Sequence, residues 1–186
     1  MEGILASYEL VPRERSFEAK MELQNIIYEL AREYPFLKNV EAQLRPGGFK
    51  GLILLDLRKI IKQLDEETKE ELRRKFIELF QERQKQGRIR YIRRILILDA
   101  IVPTDAECVK KALEKLKHRI RGKWRITLKT RGYRINRMEF IKKVAEPIFY
   151  PVDLENPEYV VIINILGDIA AISIVRAEEV SKRWRR

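Results

Sequence analysis

The sequence contains a single cysteine, Cys108, and a single histidine, His118. One cysteine excludes a disulfide framework and any cysteine-based zinc site. No stretch approaches the roughly 18 uninterrupted apolar residues that a membrane-spanning helix needs. The N-terminus, MEGILASYEL, lacks the basic region and the long apolar run of a signal peptide. These absences predict a cytoplasmic protein that is neither disulfide-bonded nor inserted in a membrane.

The motifs of the common catalytic folds are also missing. The segment RPGGFKG at Arg45–Gly51 lies between two predicted strands and does not fit the pattern of a phosphate-binding loop. No GxGxxG sequence precedes a helix, so we expect no Rossmann domain for a methyl donor. His118 has no serine or cysteine nucleophile beside it to activate. The sequence therefore predicts no catalytic residue, no cofactor and no metal, and a protein that is not an enzyme.

Positive charge is abundant and unevenly placed. The formal net charge is +11, and between Lys110 and Lys143 fourteen lysines and arginines face only two acids. A concentrated positive field is typical of a protein that binds a polyanion. Nucleic acid is the first candidate and an acidic membrane surface the second, while a merely solvated cationic face is the alternative. The many Lys, Arg and Glu residues, beside few Asn and Gln, are typical of a thermophilic or archaeal source.

Residues 1–102 predict a compact α+β unit. Alternating apolar residues indicate strands, apolar residues at helical spacing indicate helices, and proline and glycine separate them. The expected elements are a strand at Gly3–Leu10, a helix capped by Ser16 and ended by Pro35, strands at Val40–Leu44 and Leu52–Leu57, a helix at Asp65–Gln86 and a strand at Ile89–Val102. This β-α-β-β-α-β order is the ferredoxin-like arrangement.

Residues 103–186 begin with a helix and a basic strand. Thr104 and Glu107 form a capping box, so we expect a helix whose buried stripe is Val109, Leu113, Leu116 and Ile120. In the strand Lys123–Arg131 the apolar side chains take one face and the cations and hydroxyls take the other. Such a row of cations can follow a phosphate backbone. An exposed edge strand that uses lysine against aggregation is the alternative.

A second helix and a hairpin complete this half. Asn136 with Glu139 predicts a helix start, and the residues expected to face inward are Met138, Ile141, Ala145 and Ile148. Arg134 and Arg137 flank this start, where backbone N–H groups already favour a phosphate. Two nearly continuous apolar strands follow, Tyr159–Leu166 and Ile169–Val175, joined at Gly167-Asp168. They are predicted to be central strands of a sheet.

The cations of these elements form the predicted RNA-binding set. Its members are Lys117, Arg121, Lys123, Arg125, Lys129, Arg131, Arg134, Arg137, Lys142 and Lys143, with Arg90, Arg93 and Arg94 from the last strand of the first half. The only aromatic residue on the basic strand, Trp124, is turned inward by the alternation. We therefore expect no aromatic platform for single strands, and recognition of a folded RNA through its backbone and shape.

Trp124 to Val175 resembles the core of a THUMP domain, an RNA-binding module of tRNA-modifying systems. The resemblance is carried by the basic strand Arg125–Arg131, the helix with Arg137, the segment PVDLENPEY at Pro151–Tyr159, and the paired apolar strands that end in ISIV at Ile172–Val175. The VDL-x-x-P element is its most specific part. Asp153 and Asn156 can bond turn backbone, so the element is expected to have a structural role.

The resemblance implies an architecture and a function. A ferredoxin-like domain, residues 1–102, commonly precedes a THUMP domain, here residues 103–186, so the expected fold is α+β with the first domain packed on the second. The ISIV sequence and the short chain look most like the stand-alone THUMP proteins that assist tRNA cytidine N4-acetylation. The implied partners are tRNA, at its acceptor stem and 3′ end, and a separate acetyltransferase. The RNA-binding part of a thiolation or methylation enzyme and a structural RNA-binding protein are the alternatives.

Overall fold

The computed structural model describes residues 1–184. The chain divides into two compact α+β units, Met1–Ile97 and Leu98–Arg186, and each has its own four-stranded sheet and its own hydrophobic core. The sequence places the division after Val102. In the structure it falls five residues earlier because the strand Ala100–Pro103 pairs with a strand of the second unit.

The first unit has the ferredoxin-like arrangement. Its elements are β1 (Gly3–Tyr8), α1 (Ser16–Leu30), β2 (Gln43–Leu44), β3 (Leu52–Asp56), the single turn α2 (Arg58–Ile61), α3 (Glu66–Lys85) and β4 (Ile92–Leu98). The sheet order is β2-β3-β1-β4, and β3 is antiparallel to both β1 and β2. The predicted order of elements is confirmed. The helix α2 was not predicted, because a helix of four residues is too short to show a helical pattern in the sequence.

The helices of this unit bury the apolar stripes that the sequence indicates. The buried residues of α1 include Leu23, Ile26, Ile27 and Leu30, and those of α3 are Leu72, Phe76 and Phe80. Asp65 caps α3 by accepting a hydrogen bond from the backbone N–H of Thr68 at 2.7 Å. The predicted cap at Ser16 is wrong: Ser16 is the first helical residue, and the preceding Arg15 makes no side-chain capping bond.

The second strand is shorter than the alternation of residues 40–44 predicts. Val40 and Ala42 are buried as expected, yet they lie outside β2. The side-chain amide of Gln24 makes the hydrogen bonds that a neighbouring strand would otherwise make here. It donates to the carbonyl of Val40 at 2.7 Å and accepts from the N–H of Ala42 at 3.0 Å. A buried side-chain amide therefore satisfies backbone groups that a longer strand would have paired.

The predicted strand Ile89–Val102 is two strands in different sheets. β4 ends at Leu98, and β5 (Ala100–Pro103) belongs to the sheet of the second unit. Asp99 lies between them with its carboxylate fully buried. The carboxylate accepts from the N–H of Ile174 at 2.7 Å and pairs with the guanidinium of Arg119. Because a nearly continuous run of apolar residues, Ile95–Val102, extends through both strands, the sequence pattern did not reveal the break.

The second unit contains the predicted hairpin and basic strand. After β5 come α4 (Ala106–Leu116), β6 (Trp124–Arg131), α5 (Arg137–Ala145), β7 (Tyr159–Leu166), β8 (Ile169–Arg176) and α6 (Ala177–Trp184). The sheet order is β5-β8-β7-β6, with β6 parallel to β7 and the other pairs antiparallel. β7 and β8 are therefore central, as predicted. They meet at a two-residue turn in which Gly167 has a φ of +65°.

Helices α4 and α5 share a core with one face of this sheet. Val109 and Leu113 of α4, and Phe140 and Val144 of α5, are buried together with side chains of β7 and β8. Lys143 of α5 pairs with Glu107 of α4, and one turn further along both helices Glu146 pairs with Lys110. The order of these pairs shows that the two helices run in the same direction.

The helix starts were predicted with mixed success. The cap of α5 is confirmed, because Asn136 accepts from the N–H of Glu139 at 3.3 Å. The capping box at Thr104 is wrong. Asp105 caps α4 by accepting from the N–H of Glu107 at 2.6 Å, while the hydroxyl of Thr104 donates to the carbonyl of Gly167. An aspartate one residue later offers the stronger acceptor at the helix start.

The inward face of α5 differs from the prediction. Met138 is 79% exposed, whereas Phe140 and Val144 are buried, with Ile148 just beyond the helix. Ile141 and Ala145 are partly buried at the border of this face. A phenylalanine at the helical spacing of Val144 and Ile148 buries more apolar surface than Met138 would.

Among residues 1–184, no helix is long and apolar enough to cross a membrane.

Candidate nucleic-acid interface

The basic strand β6 is an edge strand with two distinct faces. Trp124 and Leu128 are buried, and Ile126 is partly buried against the same core. Arg125 is opposite Val160 of β7, and Lys129 is opposite Asn164. Since paired residues project from the same face of a sheet, the cations of β6 lie on the face opposite α4 and α5. The predicted two-faced strand is confirmed.

The outer edge of β6 is partly covered by the rest of the unit. At its start the N–H of Trp124 donates to Pro151 at 3.1 Å, and the N–H of Asp153 donates to Trp124 at 3.0 Å. Further along, the guanidinium of Arg137 donates to the carbonyl of Leu128 at 2.8 Å. One guanidinium nitrogen of Arg137 is therefore bound to the strand edge, a role that the sequence did not suggest.

Six of the ten predicted cations of the second unit lie at the two ends of β6 or in the chain segments next to them. Arg131 and Arg134 lie at its carboxyl end, beside the start of α5, and form the carboxyl-end cluster. The amino-end cluster comprises Lys123 and Arg125 together with Lys117 and Arg121, which follow α4 and precede β6. At about 3.3 Å per residue, β6 separates these ends by about 23 Å.

Three of the ten predicted cations of the second unit pair with carboxylates at the surface. Lys117 pairs with Glu114 at 2.6 Å, Lys123 with Asp153 at 3.2 Å and Lys143 with Glu107 at 2.8 Å. Exposed ion pairs of this kind contribute only about 0–1 kcal/mol, so a phosphate can compete for each lysine. Arg131, Arg134 and Lys142 are exposed and form no ion pair within residues 1–180.

The segment Pro151–Tyr159 has the structural role that the sequence predicts. The carboxylate of Asp153 accepts from the N–H of Asn156 at 2.8 Å and from the N–H of Glu155 at 3.1 Å. These backbone bonds, from Asn156 above all, and the amine of Lys123 lower the pKa of Asp153. The turn is tied to the strand because the indole N–H of Trp124 donates to the carbonyl of Tyr150 at 2.8 Å.

An exposed aromatic residue beside this turn was missed by sequence reasoning. Phe149 is 88% exposed, and Tyr150, Val152 and Leu154 after it are also exposed. The amine of Lys117 lies 5.8 Å from the centroid of the Phe149 ring. The prediction that the aromatic residue of β6 points inward is confirmed. The expectation of no aromatic platform for single strands was based on β6 alone and did not consider Phe149. The available signal was four large apolar side chains within six residues of a segment for which no helix or strand was predicted.

Three observations concern metal binding and reactive side chains in the described part of the chain. Within residues 1–180, no three His, Cys, Asp or Glu side chains are placed to hold a metal ion. The thiol of Cys108 is free and partly buried. His118 is exposed, and its Nδ1 lies 2.9 Å from the carbonyl of Lys115.

The second unit corresponds to a known domain. Residues 106–175 match the family model of the THUMP domain. The chain carries a THUMP domain. The match runs from the start of α4 almost to the end of β8, so it includes both cation clusters and Phe149. It supports RNA binding linked to tRNA modification as the function of this unit. No curated protein matches the chain in a sequence comparison.

Solved structures share the fold over nearly the whole chain. The structure of PH1313 from Pyrococcus horikoshii Ot3 is 20% identical, with a TM-score of 0.60, and the match covers 95% of this chain and 55% of that one. A 4-thiouridine synthetase solved as a complex with RNA and bound ATP is 12% identical, with a TM-score of 0.53 and coverage of 95% and 42%. This chain thus spans about half the length of these proteins, and the likeness shows a shared fold.

Three predicted RNA-binding residues lie outside the THUMP domain. Arg90, Arg93 and Arg94 belong to the first unit. The Nε of Arg90 donates to the carbonyl of Gly87 at 2.8 Å, and Arg93 pairs with Glu9. Arg93 and Arg94 lie in β4 between Ile92 and Ile95, which both belong to the core of the first unit. Their role in RNA binding stays a prediction.

Proposed function

We propose that this protein is a non-catalytic tRNA-binding adaptor, which presents tRNA to a separate modification enzyme, most directly a cytidine N4-acetyltransferase. One observation carries the RNA-binding part: the stretch from Lys110 to Lys143, with fourteen cations and two acids, lies inside the matched THUMP domain. The charge of the chain is thus concentrated on the unit that belongs to an RNA-binding family.

The arrangement of the cations supports recognition of a folded RNA. The carboxyl-end and amino-end clusters are about 23 Å apart along β6, so a single bound RNA must extend across the unit to contact both. Contacts at two separated points depend on the shape of the RNA, because a helical stem fixes the distance between its phosphates. We infer that the acceptor stem of tRNA bridges the two clusters and that its 3′ end extends beyond one of them.

The adaptor role follows from the likeness to stand-alone THUMP proteins in the closing strand, ISIV at Ile172–Val175. An adaptor that holds the tRNA and contacts the enzyme converts the meeting of enzyme and substrate into an intramolecular step, which raises the effective substrate concentration. In this proposal the chemistry, the acetyl donor and the catalytic residues all belong to the partner enzyme.

A second candidate is the RNA-binding portion of a tRNA thiolation or methylation enzyme. It is favoured by the coverage of the solved structures, since this chain accounts for 42% of the 4-thiouridine synthetase chain and 55% of PH1313. In that case a catalytic domain accompanies this chain, and the two cation clusters keep the same task of holding the tRNA.

Purification from the source cells with a tagged chain distinguishes these candidates. The adaptor proposal expects an acetyltransferase among the bound proteins. It also expects acetylated cytidine in tRNA only when that enzyme, acetyl-CoA and this protein are combined. Acetylation by this protein alone would contradict a non-catalytic role. Recovery of a thiolation or methylation enzyme in place of the acetyltransferase would favour the second candidate.

RNA selectivity is tested separately with the purified chain. Affinity for a folded tRNA should exceed affinity for an unstructured oligonucleotide of the same length at equal salt, because only the folded RNA presents phosphates at a fixed spacing. Equal affinity for the two RNAs would show that charge alone governs binding and would remove shape recognition from the proposal.

A further inference from the structure

Phe149 stands out among the exposed residues of the second unit. Its side chain is 88% exposed although it follows directly on the buried Ile148. We propose that Phe149 and Lys117 form a subsite in which an unpaired nucleobase of the bound RNA stacks on the phenylalanine ring. This subsite rests on the proposed RNA binding and adds to it a contact that reads single-stranded nucleotides.

The ring is carried by a rigid part of the fold. The N–H of Ile148 donates to Ala145 at 3.1 Å, which fixes the chain just before Phe149. On the other side, the buried indole of Trp124 donates to the carbonyl of Tyr150 at 2.8 Å. These bonds hold the backbone on both sides of Phe149, so the backbone that carries the ring loses little conformational freedom when a ligand stacks on it.

The placement of Lys117 makes the site suitable for a nucleotide. The end of α5 lies beside Lys110 of α4, because Glu146 pairs with Lys110. The amine of Lys117, which follows α4, reaches to 5.8 Å from the Phe149 centroid. A base on the ring would have its phosphate within reach of this amine. The partner of Lys117 is Glu114, and both side chains are about half exposed, so a phosphate can replace this carboxylate at little cost.

The cationic surroundings favour RNA over an apolar protein surface as the occupant. Arg121 and Lys123 are exposed and follow Lys117 in the same short connection to β6. Desolvating several cations against an apolar partner is costly. Nucleic-acid sites, in contrast, combine a positive groove with an aromatic ring on which a base stacks, because every base has a flat π-face.

A pair of matched RNA hairpins tests the subsite. Both have the same stem, closed by the same non-nucleotide linker in place of a loop, and only one carries a short unpaired extension. Phe149→Ala should weaken binding of the extended hairpin by about fivefold to 150-fold, the range for one stacked base. It should leave the blunt hairpin unchanged. Phe149→Tyr keeps the ring and should retain the affinity. Leu154→Ala removes an exposed apolar side chain of the same segment and should have no effect on either RNA.

Fluorescence gives a direct readout of stacking. With 2-aminopurine in the unpaired extension, the wild-type protein should quench the emission, and Phe149→Ala should not. Two results would contradict the subsite while leaving RNA binding itself intact. In both, the wild-type protein binds both hairpins. In the first, Phe149→Ala binds both hairpins as tightly as wild type, and in the second its affinity for both is reduced equally. If those affinities are unchanged and Phe149→Ala instead loses the acetyltransferase in a pull-down, the ring contacts a protein. If wild type binds neither hairpin nor tRNA, the proposed function fails and the subsite fails with it.

Discussion

Replacing Asp99 by alanine should destabilise the THUMP unit more than any surface change in it. The side chain of Asp99 is fully buried, its carboxylate accepts from the N–H of Ile174 at 2.7 Å, and it pairs with Arg119. Without this acceptor, the buried N–H of Ile174 loses its partner at a cost of about 1–3 kcal/mol.

The ion pair adds to this loss. Breaking a buried pair by removing one partner costs about 3–5 kcal/mol when the other charge stays buried. The side chain of Arg119 is 27% exposed and can turn partly to water, so the full penalty does not apply. We expect Asp99→Ala to lower the free energy of unfolding by about 2–4 kcal/mol in total.

Urea unfolding followed by tryptophan fluorescence measures this change, because the buried Trp124 lies in the same unit. Asp99→Asn is the matched control: its amide oxygen can still accept from Ile174, so we expect a smaller loss. Arg119→Ala should also destabilise, since it leaves the carboxylate buried without its counter-ion. A loss below about 0.5 kcal/mol for Asp99→Ala, the usual range of surface substitutions, with an unchanged m-value, would refute this account of the strand break.

Three further outcomes are expected. Replacing both Arg131 and Arg134 by alanine should reduce the slope of log K against log salt by about 1.8, at about 0.9 for each lost phosphate contact. An unchanged slope in a binding titration would exclude the carboxyl-end cluster. The pKa of Asp153 is lowered by the N–H of Asn156, so the stability it provides is present above about pH 4 and is lost as the pH falls through the lowered pKa. When Asp153→Ala is unfolded by acid, the part of the stability loss that comes from protonation of Asp153 should be missing. An acid unfolding curve identical to that of wild type would contradict this prediction. Trp124→Phe removes an indole hydrogen bond and should lower the unfolding free energy by about 0.5–1.5 kcal/mol, and an unchanged midpoint in urea would show that this bond contributes nothing.

The sequence predicted the elements whose signals are local. The hairpin at Gly167-Asp168, the cap at Asn136 and the two faces of β6 all depend on residues a few positions apart. Turn geometry, capping and strand alternation act over that range, so the pattern of side-chain types is sufficient to locate them. The order of elements in the first unit was predictable for the same reason.

The sequence was insufficient where two local solutions were equally good. Thr104 and Asp105 are both acceptable helix caps, and the structure uses Asp105 for α4 because Thr104 bonds to the distant Gly167. Met138 and Phe140 are both apolar residues of α5, and only the sheet packed against the helix determines that Phe140 is buried. Such choices are made by residues that are distant in sequence.

For the candidate site, the sequence by itself determined which residues are cationic and that those of β6 share a face. Only the tertiary structure decided how these cations are distributed. It places six of them at or beside the two ends of β6, binds part of Arg137 to the edge of β6, and brings Lys117 to the exposed ring of Phe149. The parallel course of α4 and α5, which creates this last contact, depends on packing between segments about thirty residues apart. Local side-chain pattern specifies an element, but contacts between elements decide which of its side chains remain available to bind RNA.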